Sequence, residues 1–199
     1  MRTEKKWGGG KGMNYYISDT HLGHKNIIKL DEQSGGRHFG SIEEHDNLII
    51  ENWNETVKQS DKVYILGDFS WLNGHDTEEI LRNLNGIKFL IKGNHDRWSK
   101  DGSCKRYFQG IYDYKMISDD GRKVVLSHYP ILFYQNQHKN AIHLYGHVHI
   151  TKEEALFQMM AMNVSSCIGV PMNSYNVRCM LEYMDYTPKT LNQIMESRK

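Results

Sequence analysis

The chain has 199 residues, and its 25 Lys and Arg against 24 Asp and Glu leave a formal net charge of +1. That length suits one domain able to bury most of its apolar surface, and the near-balanced charge argues against a protein built to coat nucleic acid or an anionic membrane. No apolar run approaches the roughly 18 residues that span a bilayer. The three cysteines, Cys104, Cys167 and Cys179, lack C-x-x-C spacing and read as free thiols of a reducing compartment. The opening "MRTEKKWGGGKG" has charge and glycines but no apolar core, so it is not a signal peptide and a cytoplasmic location is expected.

Residues 1–12 are expected to form a disordered extension, with a single domain over 13–199. A first strand is expected at "NYYIS" (14–18). Ser41 with Glu44 then reads as a capping box opening a helix whose Leu48, Ile49, Trp53 and Val57 share a face. A second strand follows at "KVYIL" (62–66). Asp76 with Glu79 opens the next helix, and Gly86 closes it after Leu84. Further strands are expected at "KFLIK" (88–92), "KVVLS" (123–127) and "AIHLY" (141–145). The Met-rich run "LFQMMAMNVSS" (156–166) reads as another strand whose methionines fill the core. Pro188 marks the start of a last helix. Strand–helix–strand order in the first half implies a parallel sheet with right-handed crossovers, and the strand-rich second half implies a second sheet. The resulting expectation is an α/β chain of two packed sheets with helices outside.

The residues that follow these strands share one chemistry. Asp19 and His21 come after the first, Asp68 after the second, and Asn94 and His95 after the third. His128 follows the fourth, and His147 and His149 follow the fifth. Ligands of open α/β sheets gather outside the carboxyl ends of strands, so these groups are candidates to converge. Asp19/His21 and His147/His149 are i,i+2 pairs, which point the same way in extended chain. In "FLIKGNHDRW" (89–98), Gly93 is expected to let the backbone bend sharply into Asn94, His95 and Asp96. So many imidazoles suit borderline divalent ions such as Mn²⁺, Fe²⁺, Zn²⁺ or Ni²⁺ better than an all-oxygen Mg²⁺ or Ca²⁺ cage. There are too many ligands for one tetrahedral zinc, which argues for two ions sharing a carboxylate. No Ser or Cys nucleophile motif suggests a covalent phosphoenzyme.

The motifs "SDTHLGH", "LGDF", "KGNHD", "SHYP" and "GHVH", taken in order from Met13 to His149, resemble the calcineurin-like metallophosphoesterase superfamily, in particular its compact single-domain bacterial and phage members. The resemblance implies a four-layer α/β/β/α sandwich of two mixed β-sheets flanked by helices. It implies one metal on Asp19, His21, Asp68 and His149, and a second on Asp68, Asn94, His128 and His147. It also implies that His95 is catalytic and not a ligand. The activity it implies is metal-dependent phosphoric ester hydrolysis, by in-line attack of a hydroxide bridging two metal ions, with Mn²⁺ the first expectation.

Around that site, Arg97 and Arg37 are candidates to grip a substrate phosphate, and His24 to stand behind the ligands. Asp96 either orients His95 or caps the segment after it. His45, His75, His138 and His143 read as structural or surface residues. The expected substrate is a small phosphodiester or nucleotide. Nucleic acid is less favoured, because no extended basic surface is visible, and no membrane partner is expected. The alternatives are a metal-dependent nuclease, a phosphomonoesterase, or a scaffold of the same fold without chemistry; the complete ligand set argues against the last.

Overall fold

Alternate residues of the first three strands face two different apolar layers. In the computed structural model, which describes residues 12–32, 37–97, 102–149 and 151–197, β1 spans Asn14–Ile17, β2 Lys62–Ile65 and β3 Ile87–Ile91. Tyr15, Ile17, Val63 and Ile65 pack into one core, and Tyr16, Tyr64, Leu66 and Ile91 into another. A strand's period of two therefore buries both faces of this sheet, as parallel strands require. The expected disordered extension lies outside the described residues, apart from Gly12.

β1, β2 and β3 run parallel, and β4 (Phe108–Tyr112) adds a further parallel strand beside β3. The two-residue β9 (Lys189–Thr190) closes the other edge antiparallel to β1, giving the order β4-β3-β2-β1-β9. A second sheet has the order β5-β6-β7-β8, with β5 at Tyr114–Asp119, β6 at Arg122–Ser127, β7 at Ile142–Tyr145 and β8 at Ser174–Asn176. β5 and β6 form an antiparallel hairpin whose Asp120 and Gly121 both have positive φ, and β6, β7 and β8 are parallel. Both sheets are mixed, and Leu66, Ile91, Leu126 and Leu144 share the core between them.

Helices cover the outer faces. The short α1 (Ile27–Glu32) precedes α2 (Ile42–Thr56), whose Ile49 and Trp53 pack on the first sheet together with Leu81 of α3 (Gly74–Asn83). Ser41 caps α2 as its sequence predicts, accepting a hydrogen bond from the Glu44 amide, while the Glu44 carboxylate reaches the Gly40 amide instead of Ser41's own. α3 starts earlier than expected from Asp76, because the Asn73 side chain caps it by accepting from the Asp76 amide. Pro188 likewise does not open the last helix. Thr190 and Gln193 form a full capping box at the start of α5 (Leu191–Glu196), and the residues between belong to β9.

The Met-rich run corrects a larger expectation. It forms α4 (Lys152–Ile168), capped by the Thr151 hydroxyl and ended by Gly169 in the left-handed conformation. Leu, Gln, Met and Ala are strong helix formers, and over a window this long their propensity outweighs the apolar content that suggested a strand. Only Phe157 and Ala161, one turn apart, are buried; Phe157 joins Tyr145 and Val148 against the second sheet. The methionines are not core filling: Met159, Met160 and Met162 are exposed, Met162 by 68 %. With α2 and α3 on one side and α4 on the other, the layers run α/β/β/α. Among the described residues no helix is long and apolar enough to cross a membrane.

Candidate metal centre

The loops leaving β1 and β2 are stitched together backbone to backbone before any side chain is considered. The amides of Asp19, His21 and Leu22 donate to the carbonyls of Gly67, Asp68 and Phe69, each at 3.0 Å. Asp19 (φ 55°), His21 (φ 49°), Asp68 (φ 50°) and His147 (φ 67°) all sit in the left-handed region, a conformation costing of order 1–3 kcal/mol per residue. This departs from the extended geometry assumed for the i,i+2 pairs. His147 and His149 do not point into one group but into two.

Asp19, His21 and His149 each offer a ligand atom within 4.8 Å of the others, and Asp68, His128 and His147 do the same. The two groups touch at Asp68. Its Oδ2 lies 3.9 Å from His21 Nε2 and 3.6 Å from His128 Nε2. Asn94 joins the second group, with Oδ1 3.0 Å from His128 Nε2. Asp19, His21, Asp68 and His128 are all buried.

Two glycines permit this proximity. A Cβ on Gly67 would collide with His128 Nδ1 and with the Gly93 backbone, and one on Gly93 would strike the Asp68 carboxylate. Gly67 (φ 90°) also needs the left-handed conformation. Gly93 has no positive φ, so the expected sharp bend is not its reason; it leaves room for Asp68. Asp96 locks the same contact from below, accepting from the amides of Asp68, Phe69 and Gly93 at 3.0, 2.9 and 2.8 Å. Its hydrogen bonds thus pin the β2 and β3 loops together, the role of a clamp under Asp68.

The electrostatics fit a cation. Burial pushes the Asp68 carboxyl up to about 7, reinforced by Asp19 and opposed by His128. Burial first, then Arg37 and His149, hold His21 well below the usual imidazole range, so its ring is neutral with a lone pair to offer. His147 is lowered by burial and by His128. The decisive mark is His21, whose Nδ1 and Nε2 are both buried without a hydrogen-bond partner among the described residues. Leaving such a group unsatisfied costs about 1–3 kcal/mol unless something binds there. Neutral imidazoles with carboxylates at these separations suit a divalent transition metal.

The remaining candidates divide. His95 donates its amide to Asp68 Oδ1 at 2.9 Å, and its ring lies 4.4 Å from that of Trp71. Burial, then Arg97 and His128, lower its pKa. His24 also stacks on Trp71, with centroids 4.0 Å apart and planes within 9°. A small cavity of about 100 Å³ lies between Trp71, His95 and Arg97, so Arg97 remains beside the site. Arg37 does not. It is completely buried, with Nη1 donating to the Thr20 carbonyl at 2.9 Å and Nη2 to the Asp19 carbonyl. The same guanidinium donates to His45 Nε2, whose Nδ1–H donates to Asp46 at 2.7 Å, and Asp46 in turn accepts from the Gly23 amide. Arg37 therefore buttresses the Asp19 loop from within and is no surface grip for phosphate. Trp71 and Asp46 are the neighbours that sequence reasoning missed, whereas His45 is structural, one of the two readings given to it. Only Trp71 left a signal, an indole three residues beyond Asp68.

The sequence profile of the calcineurin-like phosphoesterase superfamily domain matches residues 14–181. An uncharacterized protein of Methanocaldococcus jannaschii is 31 % identical over 184 residues, covering 92 % of this chain and 89 % of its own. The gene 66 protein of Mycobacterium phage D29 is 31 % identical over 134 residues, covering 58 % of this chain and 63 % of its own. Among solved structures, a protein of unknown function from Aquifex aeolicus superposes with a TM-score of 0.68 at 31 % identity, over 94 % of this chain and 99 % of that one.

Proposed function

The chain belongs to the calcineurin-like phosphoesterase superfamily, and from that premise we propose that it is a dinuclear metal-dependent hydrolase of a small phosphodiester or nucleotide. One observation carries the two-ion reading: a single oxygen, Asp68 Oδ2, stands 3.9 Å from His21 Nε2 and 3.6 Å from His128 Nε2, between two separate ligand groups. Asp19, His21, Asp68 and His149 would hold one ion, and Asp68, Asn94, His128 and His147 the other. Two divalent cations, Mn²⁺ by preference, supply Lewis acidity that activates water and neutralises charge on the phosphoryl oxygens.

The protein's own groups do the rest. The loops hold their carboxylates and imidazoles in place through Asp96 and Arg37, so little reorganisation is left for the reaction step. His95 stands beside the ligands but outside both groups, where it can hand a proton to the leaving oxygen, a role worth roughly 10²–10⁴-fold. Burial and Arg97 weaken its hold on that proton, and a bound phosphate opposes the effect. Arg97, which lines the small cavity with Trp71 and His95, is placed to take a phosphate oxygen through its planar fork.

The test is hydrolysis of bis(p-nitrophenyl) phosphate and of p-nitrophenyl phosphate with Mn²⁺, and again after chelation with EDTA. Turnover that requires the metal and favours the diester is the expected result. Absence of turnover on either ester by the metal-loaded protein overturns the reading, and a monoester preference overturns its substrate half.

A further inference from the structure

A cleft of about 400 Å³ opens beside His149 on the side formed by α4 and the loop after β8. That volume lies within the range of small-molecule pockets, and His149 belongs both to its wall and to one of the two ligand groups. Its wall is mainly apolar, built from Ala155, Leu181 and Tyr183. Its charged groups are two carboxylates, Glu154 and Glu182, and among the described residues no Lys or Arg lines it. Glu154 is held in place, accepting from the Tyr145 hydroxyl at 2.9 Å and from the Gln158 amide at 3.0 Å.

We infer that this cleft receives the organic group that stays on the phosphorus, and that it selects an uncharged aromatic or apolar group over one carrying a second phosphate. The inference rests on the phosphoesterase reading and deepens it, because it names the class of ester. Apolar walls reward burial of a ring or alkyl surface. The carboxylates repel a second anion at short range. A substrate phosphate at the metals therefore has a partner for its organic half on the His149 side, and none for a neighbouring phosphate. Long nucleic acid, with a charge on every nucleotide, is excluded by the same wall that admits a single nucleoside.

The experiment keeps the leaving group constant and changes only the group that remains. Metal-loaded protein is assayed with phenyl p-nitrophenyl phosphate and with methyl p-nitrophenyl phosphate. The phenyl ester is expected to have the higher kcat/KM by about tenfold, a typical gain for added apolar contact. Ala155→Trp, which fills the cleft, should abolish that preference. Equal rates for the two esters in the wild type, or a preference that survives the filled cleft, overturns the inference.

Glu182→Lys provides a second route at a surface position, with thymidine 5′-(p-nitrophenyl phosphate) bearing either a 3′-hydroxyl or a 3′-phosphate. The wild type should discriminate against the 3′-phosphate by about tenfold, and the variant should lose most of that discrimination. A 3′-phosphate that speeds the wild type overturns the inference. Equilibrium binding separates this failure from failure of the phosphoesterase reading. If no ester is turned over, calorimetry of phenylphosphonate against methylphosphonate still decides: tighter phenylphosphonate binding, lost in Ala155→Trp, supports the cleft, and equal or absent binding of both overturns it.

Discussion

The two ends of the same strands treat polar side chains in opposite ways. At the amino ends of β1 and β2, a larger cleft of about 490 Å³ is lined by Asn14, Lys62, Asp119, Asp120 and Asn192 among others. There the polar groups satisfy one another: Asp119 accepts from the Tyr16 hydroxyl at 2.7 Å and from Asn14 at 2.8 Å, and Asp120 accepts from Asn192 at 3.1 Å. At the carboxyl ends, among the described residues, His21 keeps two buried ring nitrogens without a hydrogen-bond partner, and four ligand candidates hold left-handed backbone. Size does not tell the two ends apart, since the cleft beside His149 holds about 400 Å³. Unsatisfied, strained polarity marks the end suited to take a ligand.

Removing the shared carboxylate should break this contrast most severely. Asp68→Ala is expected to lower kcat/KM by at least about a thousandfold, because both ligand groups lose a member at once. Initial rates across a Mn²⁺ titration check it, and full activity in the variant would refute the shared role.

The next effect separates two histidines of one end. His95→Ala should lose about 10²–10⁴-fold in kcat on an ester with a poor leaving group while keeping its metal, whereas His147→Ala should lose metal as well. Mass-spectrometric metal counts on dialysed protein, measured beside kcat, decide between them. Equal metal loss in the two variants would erase the division between acid and ligand.

A third test compares His21 with a histidine that is just as buried but internally satisfied. His143 has Nε2 2.8 Å from the Ser127 hydroxyl and Nδ1 3.3 Å from that of Ser174, and burial lowers its pKa to about 3. Its folded value lies below the unfolded value of about 6.5, so between those limits only the unfolded chain takes the proton. The stability it protects is complete above about pH 6.5 and is lost as pH falls toward 3. Urea unfolding in EDTA at pH 7.5 and 4.5 should therefore show His143→Asn losing about 2–3 kcal/mol less than the wild type across that interval. Identical pH slopes would show that His143 is not the titrating group.

The smallest effect belongs to the satisfied end. Asp119→Ala strands the Tyr16 hydroxyl and should cost about 1–2 kcal/mol of stability with kcat/KM unchanged. A large loss of activity there would mean that the amino ends of the strands also serve the reaction.

This contrast also explains what the sequence could and could not tell. Short apolar, β-branched and aromatic runs ending in polar residues announced β1, β2, β3, β6 and β7, and the residues that follow them form the two ligand groups and their neighbours. The brief β8 and β9 carry too few residues for a period to emerge, and both are placed by their partners. α4 was misread because its methionines, strong helix formers, look like core when burial is unknown. Arg37 was misread for a related reason: charge suggests solvent, but this guanidinium finds the Asp19 and Thr20 carbonyls inside. The separation of His147 from His149 needed a backbone turn at φ 67°, which nothing in the tetrapeptide "GHVH" announces.

Anomalous diffraction from crystals grown with Mn²⁺ tests the central claim most directly. The account predicts two peaks about 3.5–4 Å apart, one beside Asp19, His21 and His149 and the other beside Asn94, His128 and His147, with the Asp68 carboxylate touching both. A single peak, or two peaks of which Asp68 contacts only one, would contradict it.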